Sequence, residues 1–163
     1  MASSQPISLS HRVQRVKPSP TLAITALAAA LRSEGKDIIG LGAGEPDFDT
    51  PEPIKQAAIQ AIESGFTKYT AVDGIPSLKQ AVVDKFKRDN GVSYALDQVM
   101  VSCGGKQAFY NLCQALLNEG DEVLIPAPYW VSYPDIVMLA DATPVTISAG
   151  IDQQFKITPE QLE

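Results

Sequence analysis

The sequence predicts an α/β fold built around a mostly parallel β-sheet, and three features of the second half of the chain point to it. First, short apolar segments suited to strands alternate with amphipathic segments suited to helices. Second, their short connections are typical of right-handed βαβ units. Third, the first two strands are continuously apolar, which indicates that helices cover both faces of the sheet. The predicted strands are residues 99–101, 122–126 and 143–148, and the helices are residues 107–117 and 130–139.

The first half of the chain is predicted to hold an extended arm followed by helices. Residues 1–18 are polar and show no periodicity. Ser19 and Pro20 suit a helix start, and apolar residues then recur at helical spacing until Gly35. The other predicted elements are helices from residue 51 to 65 and over 76–89, a strand at 37–41 and a loop at 42–47. Pro159 opens a helix that stops after barely one turn, so we expect the 163 residues to be the front part of a longer protein.

Composition excludes several classes of function. The 163 residues are 45% hydrophobic and 20% charged, which suffices for a domain with an apolar core. The net charge is −6 and the Lys and Arg residues are scattered, which argues against nucleic acid as a partner. The N-terminal residues lack the apolar stretch of a signal peptide, and the apolar run at 22–31 is too short to cross a bilayer. We therefore expect a cytoplasmic protein with no membrane partner.

The few cysteine and histidine residues argue against metal and nucleophilic sites. Cys103 and Cys113 are ten residues apart, and His11, the single histidine, lies in the predicted arm. This spacing fits no usual structural zinc pattern and makes a Ser/Cys–His site a poor interpretation. We expect both cysteines to be small buried hydrophobic residues in a reducing compartment.

The stretch VSCGGKQAFYNL, at residues 101–112, predicts an anion site. Gly104 and Gly105 allow a close approach of the backbone to a ligand, and the first N–H groups of the following helix are unsatisfied donors. The helix dipole and Lys106 add positive charge, so a phosphate is the expected ligand. The alternative is a glycine turn needed only for packing, with Lys106 in solvent.

The common nucleotide sites do not match this stretch. A P-loop needs GxxxxGK followed by Ser or Thr, whereas Gln107 follows the lysine and no glycine lies five residues before Gly105. A dinucleotide site needs GxGxxG and an acidic residue at the end of the second strand, and that strand ends in IPAP. Nucleoside triphosphates and NAD are both disfavoured.

The loop after the second predicted strand suggests what carries the phosphate. Residues 126–134, PAPYWVSYP, leave the same edge of the predicted sheet and contain the only tryptophan, Trp130. An aromatic side chain beside an anion site suits a flat, phosphorylated ring. The alternative is that Trp130 is a core residue at the start of a helix.

Four motifs in this order resemble the class I pyridoxal-phosphate aminotransferases, in particular the bacterial-type aspartate aminotransferases, some of which also act on prephenate. The motifs cover most of the chain and are GAGEPDFDTP (residues 42–51), TKYTAVDGIPSLKQA (67–81), GGKQAFYN (104–111) and GDEVLIPAPYWVSYP (120–134). The resemblance implies the fold-type I architecture. Residues 1–48 would be an N-terminal arm and small-domain elements, and residues 49–163 would be the start of the large cofactor-binding domain.

The resemblance also implies the roles of individual residues at the cofactor. Gly104, Gly105 and Lys106 would form the cup for the phosphate of pyridoxal 5'-phosphate. Trp130 would pack against the cofactor ring. Tyr69 would reach the phosphate bound by the neighbouring subunit, so that a homodimer shares its active sites. The alternative for Tyr69 is a packing residue of its loop.

Three residues are implied to contact the substrate. The indole N–H of Trp130 would lie close to the substrate carboxylate, and the backbone of Gly44 would bind that carboxylate. Lys17 matches a position that meets a dicarboxylate substrate in some relatives, although an ordinary solvated lysine is the alternative.

The activity implied by the resemblance is transfer of an amino group between aspartate or glutamate and a 2-oxo acid. The Schiff-base lysine of the family would lie beyond Glu163, as would the residues that face the pyridine nitrogen and bind the α-carboxylate. We therefore expect no catalytic residue within these 163 residues and no activity from them alone. Two alternatives stay open: a pyridoxal-phosphate-dependent amino-acid lyase, or a non-catalytic module for anion binding or dimerisation if the chain is complete.

Overall fold

The computed structural model describes residues 8–42 and 44–163. They form two compact units, one of Pro18–Val101 and the other of Ser102–Glu163 together with the N-terminal residues up to Lys17. The helices are α1 (His11–Arg15), α2 (Pro20–Ser33), α3 (Glu52–Glu63), α4 (Pro76–Asn90), α5 (Gly105–Leu116) and α6 (Ser132–Leu139), and the strands are β1 (Glu122–Ala127) and β2 (Thr143–Ser148). Single 3-10 turns span Leu96–Gln98, Ile151–Gln153 and Pro159–Gln161.

The predicted helices α2, α3 and α4 are confirmed, and so are two of the local signals that define their ends. The side chain of Ser19 accepts a hydrogen bond from the N–H of Leu22 at the start of α2. Gly91 ends α4 with a left-handed backbone, φ 69°. None of these helices is both long and apolar enough to span a membrane, and the same holds for the other helices in the described ranges.

The predicted βαβ unit is confirmed in the second half of the chain. Strands β1 and β2 pair in parallel, with Glu122 opposite Thr143 and Ala127 opposite Ser148, and α6 connects them. Ile125 of β1 packs with Ile136 and Val137 of α6 in a buried cluster. Leu124 points away from this cluster and is 47% exposed, so the described residues cover one face of the sheet and not both.

Two predicted strands are wrong. Residues 99–101 form no ladder, because the N–H of Val101 donates to the loop carbonyl of Asp73 (3.0 Å) and not to a neighbouring strand. Residues 37–41 form neither a helix nor a paired strand, and the carbonyl of Ile38 accepts from Nε of Arg32 (3.1 Å). A strand needs a partner as well as a suitable sequence, so the described sheet has two strands where three were predicted.

The N-terminal arm is not wholly extended. Residues 1–7 lie outside the described part of the chain, but His11–Arg15 form the short helix α1. This helix contacts α6, and both Arg12 and Arg15 form ion pairs with Asp141, which lies in the turn between α6 and β2. Tertiary ion pairs therefore stabilise a turn of helix that the polar sequence did not predict.

Candidate functional site

The candidate site begins where the chain enters α5. Gly104 has φ 88°, a left-handed backbone that favours glycine, and the first hydrogen bond of the helix runs from the N–H of Ala108 to the carbonyl of Gly104 (3.2 Å). The N–H groups of Gly105, Lys106 and Gln107 precede that bond and are therefore free of helical partners. Gly104, Gly105 and Lys106 are exposed, and a Cβ added at either glycine would meet no atom within 4 Å. The backbone at this helix start is open to an anion.

The loop before α5 is held by two short hydrogen bonds. The N–H of Cys103 donates to Oε1 of Gln107 (2.6 Å), and the N–H of Gly104 donates to the carbonyl of Ser102 (2.8 Å). Cys103 is exposed, so the prediction that it is buried is wrong, because its place in this loop keeps it outside the core. The prediction is confirmed for Cys113, whose burial in the core raises the pKa of its thiol.

Lys106 and Trp130 bring the two predicted loops together. Nζ of Lys106 lies over the indole ring of Trp130, 4.7 Å from the ring centroid, in a cation–π contact. Trp130 precedes α6 and is 42% exposed, so it is not the core residue of the alternative interpretation. The structure therefore places an ammonium group, an open helix start and an exposed tryptophan side chain side by side.

Two aromatic residues that the sequence did not single out connect Trp130 to the apolar core. Tyr133 meets the edge of the Trp130 ring, with centroids 5.3 Å apart, and Phe109 meets Tyr133 at 5.1 Å. Phe109 and Tyr133 are partly buried and pack on the apolar core. Phe109 lies three residues after Lys106 on α5, a spacing that places both on one side of the helix. This spacing is the sequence signal that could have linked Phe109 to the site. The aromatic contacts connect the position of Trp130 to the core.

The other predicted site residues are placed as follows. Lys17 is exposed and directly follows Val16, the residue that ends α1. Gly44 and Tyr69 belong to the unit of Pro18–Val101, and a Cβ at Gly44 would meet nothing within 4 Å. Tyr69 is fully exposed in the loop between α3 and α4, which does not support the alternative that it is a packing residue of its loop. The structure brings together Gly104, Gly105, Lys106 and Trp130 of the predicted set.

A charged pair beside the Tyr69 loop was missed by sequence reasoning. Lys79 of α4 is 7% exposed, and its Nζ forms a short ion pair with Asp73 at the end of that loop. The hydrogen bond from Lys79 is the main cause that lowers the pKa of Asp73 below its ordinary value, followed by a backbone hydrogen bond and by the charge of Lys79. The periodicity of the sequence does not reveal that a lysine is buried beside an acidic partner, so this pair could be identified only from the structure.

The family follows from comparison with known proteins. The family profile described as aminotransferase class I and II matches residues 36–163. The chain belongs to this family. It is 64% identical over 157 residues to an aspartate/prephenate aminotransferase of Nitrosomonas europaea, covering 96% of this chain and 40% of the relative. It is 62% identical to the enzyme of that name from Cereibacter sphaeroides, covering 95% of this chain and 39% of the relative.

Solved structures of aspartate aminotransferases have the same fold. The enzyme of Rhizobium meliloti superimposes with a TM-score of 0.92 at 50% identity, over 96% of this chain and 39% of its own. The Thermus thermophilus enzyme with maleate gives a TM-score of 0.91 at 47% identity, over 96% of this chain and 41% of its own. The predicted resemblance and the fold-type I α/β class are confirmed. The chain spans about two fifths of the length of the relatives it matches.

Aspartate aminotransferases depend on pyridoxal 5'-phosphate, and the residues at the start of α5 fit this group. The unpaired N–H groups of Gly105 and Lys106 are suitable donors for a phosphate, and the ammonium of Lys106 supplies a neutralising charge. Trp130, 42% exposed next to Lys106, is an aromatic side chain suited to packing against a planar ring beside that phosphate. The donor set of the structure therefore agrees with the cofactor of the family.

Proposed function

We propose that the full-length protein transfers an amino group between aspartate or glutamate and a 2-oxo acid, with pyridoxal 5'-phosphate as cofactor. The observation that carries this proposal is the contact of Lys106 with Trp130 at the open start of α5, in a chain 64% identical to an aspartate/prephenate aminotransferase. The same relative makes prephenate a candidate acceptor.

In this proposal the chain binds and orients the cofactor. The N–H groups of Gly105 and Lys106 donate to the phosphate, the left-handed Gly104 keeps the approach free of a side chain, and Trp130 covers the ring. Bound pyridoxal phosphate supplies an electron-withdrawing ring that stabilises negative charge at the α-carbon of the amino acid. Tyr133 and Phe109 act indirectly, because they fix the plane of the Trp130 indole.

The substrate contacts are proposed from the same residue set. The backbone of Gly44 and the indole N–H of Trp130 bind the carboxylate next to the reacting carbon, and Lys17 meets the second carboxylate of a dicarboxylic substrate. The exposure of Lys17 and Gly44 leaves both available for this contact. An ammonium group is suited to a carboxylate as a compact charge with three donors.

A homodimer with shared sites is part of the proposal. Tyr69 is fully exposed on a loop between two helices, and a tyrosine hydroxyl in that position can donate to a phosphate held by a second copy of the chain. We also propose that residues 1–48 belong to an arm and a small domain, that residues 49–163 open the large domain, and that the protein works in the cytoplasm.

The proposal is tested on the purified full-length protein. With pyridoxal phosphate, aspartate and 2-oxoglutarate, we expect formation of glutamate and oxaloacetate in equal amounts. Release of ammonia in place of a second amino acid would indicate the lyase alternative and contradict transamination. The polypeptide of residues 1–163 is the control, and we expect it to be inactive because the resemblance implies no catalytic lysine in it. Transamination by residues 1–163 would contradict that expectation.

A second experiment locates the lysine that reacts with the cofactor. Borohydride reduction of the full-length protein with pyridoxal phosphate, followed by peptide mapping, identifies the lysine that reacts with the cofactor aldehyde. We expect a lysine outside residues 1–163 to carry the label. Labelling of Lys106 would overturn the placement of the phosphate at the start of α5.

A further inference from the structure

Lys79 is the one charged side chain that is buried among the residues the structure describes. It is 7% exposed, and its Nζ pairs with Asp73, whose side chain is 50% exposed. A lysine is almost never buried without a partner, because removal of its charge from water is costly. The same helix carries Lys85 and Lys87, which stay in solvent. The burial of Lys79 is therefore specific to its position beside Asp73.

The aliphatic part of the Lys79 side chain also packs next to Gly74, a position whose backbone conformation favours glycine. Gly74 has φ 107°, and a Cβ there would lie 2.6 Å from Cγ2 of Val101 and 3.7 Å from Cγ of Lys79. The backbone at Gly74 is thus enclosed between Val101 and Lys79. Two hydrogen bonds complete the arrangement, from the N–H of Val101 to the carbonyl of Asp73 (3.0 Å) and from the N–H of Gly74 to the carbonyl of Ala71 (3.2 Å).

These contacts fix the end of the loop that carries Tyr69. Tyr69 itself is fully exposed, so its own side chain does not determine where it lies. Its position depends on the ends of the loop, and the end at Asp73 and Gly74 is held by Lys79 and Val101. Val101 is also the residue before Ser102, the first residue of the loop that leads into α5. The cluster of Asp73, Gly74, Lys79 and Val101 therefore holds one end of the Tyr69 loop.

We propose that Lys79 and Asp73 are positioning residues for cofactor binding: their ion pair orders the loop so that Tyr69 is held where it meets the phosphate. This inference rests on the proposed function, in which Tyr69 binds the phosphate of the neighbouring subunit. The pair is not among the residues proposed to bind cofactor or substrate. It acts through Tyr69, and its removal weakens cofactor binding by letting the loop move.

The first test measures the order of the loop and is independent of the cofactor. Deuterium exchange at the amides of Gly74 and Val101 is followed in the full-length apo protein. In Lys79→Met, which keeps a long apolar stem, we expect exchange at both amides to be about tenfold faster than in the wild type. Lys79→Arg should restore most of the protection.

Lys85→Met is the matched control, because Lys85 lies on the same helix, is exposed and pairs loosely with Asp89 at 3.9 Å. Equal exchange rates in Lys79→Met and Lys85→Met would overturn the proposal. If Lys79→Met fails to fold, Asp73→Asn decides, since this half-exposed side chain keeps its shape while losing its charge. Wild-type exchange rates in Asp73→Asn would then overturn the proposal.

The second test asks whether the pair acts through Tyr69. Dissociation constants for pyridoxal phosphate are measured in the wild type, Lys79→Met, Tyr69→Phe and the double variant, well below their melting temperatures. We expect Lys79→Met to weaken binding about tenfold in the wild type but less than about threefold in the Tyr69→Phe background, because coupled residues are not additive. A purely structural role would give equal factors in both backgrounds and would overturn the proposal.

The two tests also separate this proposal from the proposed function. If the wild-type protein does not bind pyridoxal phosphate, the proposed function fails, and the role of the pair in cofactor binding fails with it. If the wild type binds the cofactor and Lys79→Met binds it equally well, only the role of the pair fails. Tenfold weaker binding in Lys79→Met, unchanged binding in Lys85→Met and the expected coupling to Tyr69 support both.

Discussion

The two compact units bury different kinds of side chain. In the unit of Ser102–Glu163 and the N-terminal residues, the buried side chains are apolar and centre on the βαβ unit. They are Cys113, Ile125, Ile136, Val137, Ala140, Ala142, Ile147 and Ala149. In Pro18–Val101, the one buried side chain among those described is that of Lys79. Among the described residues, the buried side chains of the first unit pack against one another, whereas the buried side chain of the second unit forms an ion pair with Asp73.

The difference shows what an amphipathic sequence does and does not specify. Helix α6 and helix α3 both carry isoleucines, but Ile136 of α6 is 5% exposed whereas Ile62 of α3 is 66% exposed. The sequence pattern predicts both helices because helical spacing depends on the segment itself. Burial depends on a second surface, and among the described residues the buried apolar side chains cluster around the strand–helix–strand unit and α5. The following predictions test how far the two units differ.

The largest effect is expected from removal of apolar volume. Ile136→Ala should lower the free energy of unfolding of the full-length protein by about 2–4 kcal/mol, because it leaves a cavity in the core. Ile62→Ala is the matched control from the other unit and should cost less than about 1 kcal/mol, since its side chain is exposed. Urea unfolding measures both. Equal losses of stability would show that Ile62 of α3 is buried in the full-length protein, and the two units would then not differ in apolar packing.

A glycine in each unit gives the second comparison. Gly74→Ala places a Cβ against Val101 at a left-handed backbone and should cost about 2–4 kcal/mol. In Gly104→Ala the new Cβ has open surroundings, so only backbone strain remains, and the variant should cost about 1–3 kcal/mol. Gly105→Ala, without a left-handed φ, is the control. Urea unfolding at neutral pH measures the three variants, and a larger loss at Gly104 than at Gly74 would contradict this order.

Acid should loosen the Lys79–Asp73 contact and leave the apolar core intact. Asp73 stays ionised at lower pH in the folded than in the unfolded state, because its folded pKa is lowered, mainly by Lys79. Its contribution to stability is therefore present above the ordinary carboxyl pKa of about 3.9 and is lost as the pH falls through the lower folded pKa.

Deuterium exchange of the Gly74 amide, corrected for the intrinsic rate, is the measurement. Protection in the wild type should fall across that pH window, while Asp73→Asn should show no such change. The amide of Val137, in the core of the other unit, serves as the internal reference. The same pH dependence in Asp73→Asn as in the wild type would contradict the assignment to Asp73.

The smallest effect is expected from the exposed ion pairs of α1. Asp141 pairs with Arg15 and, at 3.7 Å, with Arg12, and these side chains are about one third to one half exposed. Asp141→Asn keeps a residue that tolerates its left-handed backbone, φ 64°, and should cost less than about 1 kcal/mol. Urea unfolding in low and high salt measures it. A loss of more than about 2 kcal/mol, or one unchanged by salt, would contradict a screened surface interaction.

Sequence reasoning recovered the local part of the fold and missed the contacts that link distant segments. Helices α2 to α6 and strands β1 and β2 followed from periodicity and from terminators such as Gly35 and Gly91. The strands predicted at 37–41 and 99–101 failed because apolar composition does not reveal whether a partner is present. Helix α1 was missed because its polar sequence shows no periodicity, and its contacts with α6 and Asp141 join residues more than 120 positions apart.

The candidate site was likewise predicted in part from the sequence and in part only found in the structure. The Gly104–Lys106 stretch and Trp130 were found from the sequence, because glycines at a helix start and an isolated tryptophan are local signals. The support of Trp130 by Tyr133 and Phe109 was missed, since two ordinary aromatic residues become informative only when their rings meet. The roles proposed for Lys17, Gly44 and Tyr69 come from the family resemblance and stay predictions.

By itself the sequence determined the family, helices α2 to α6, the parallel strand–helix–strand unit and the glycine-lined start of α5, because each leaves a pattern along the chain. Only the tertiary structure decided that Lys106 lies over Trp130 and that Lys79 is buried against Asp73. Both contacts join charged side chains to groups outside their own helices. The contacts and the burial of a side chain depend on which groups lie near it in space, and a local sequence pattern does not specify those groups.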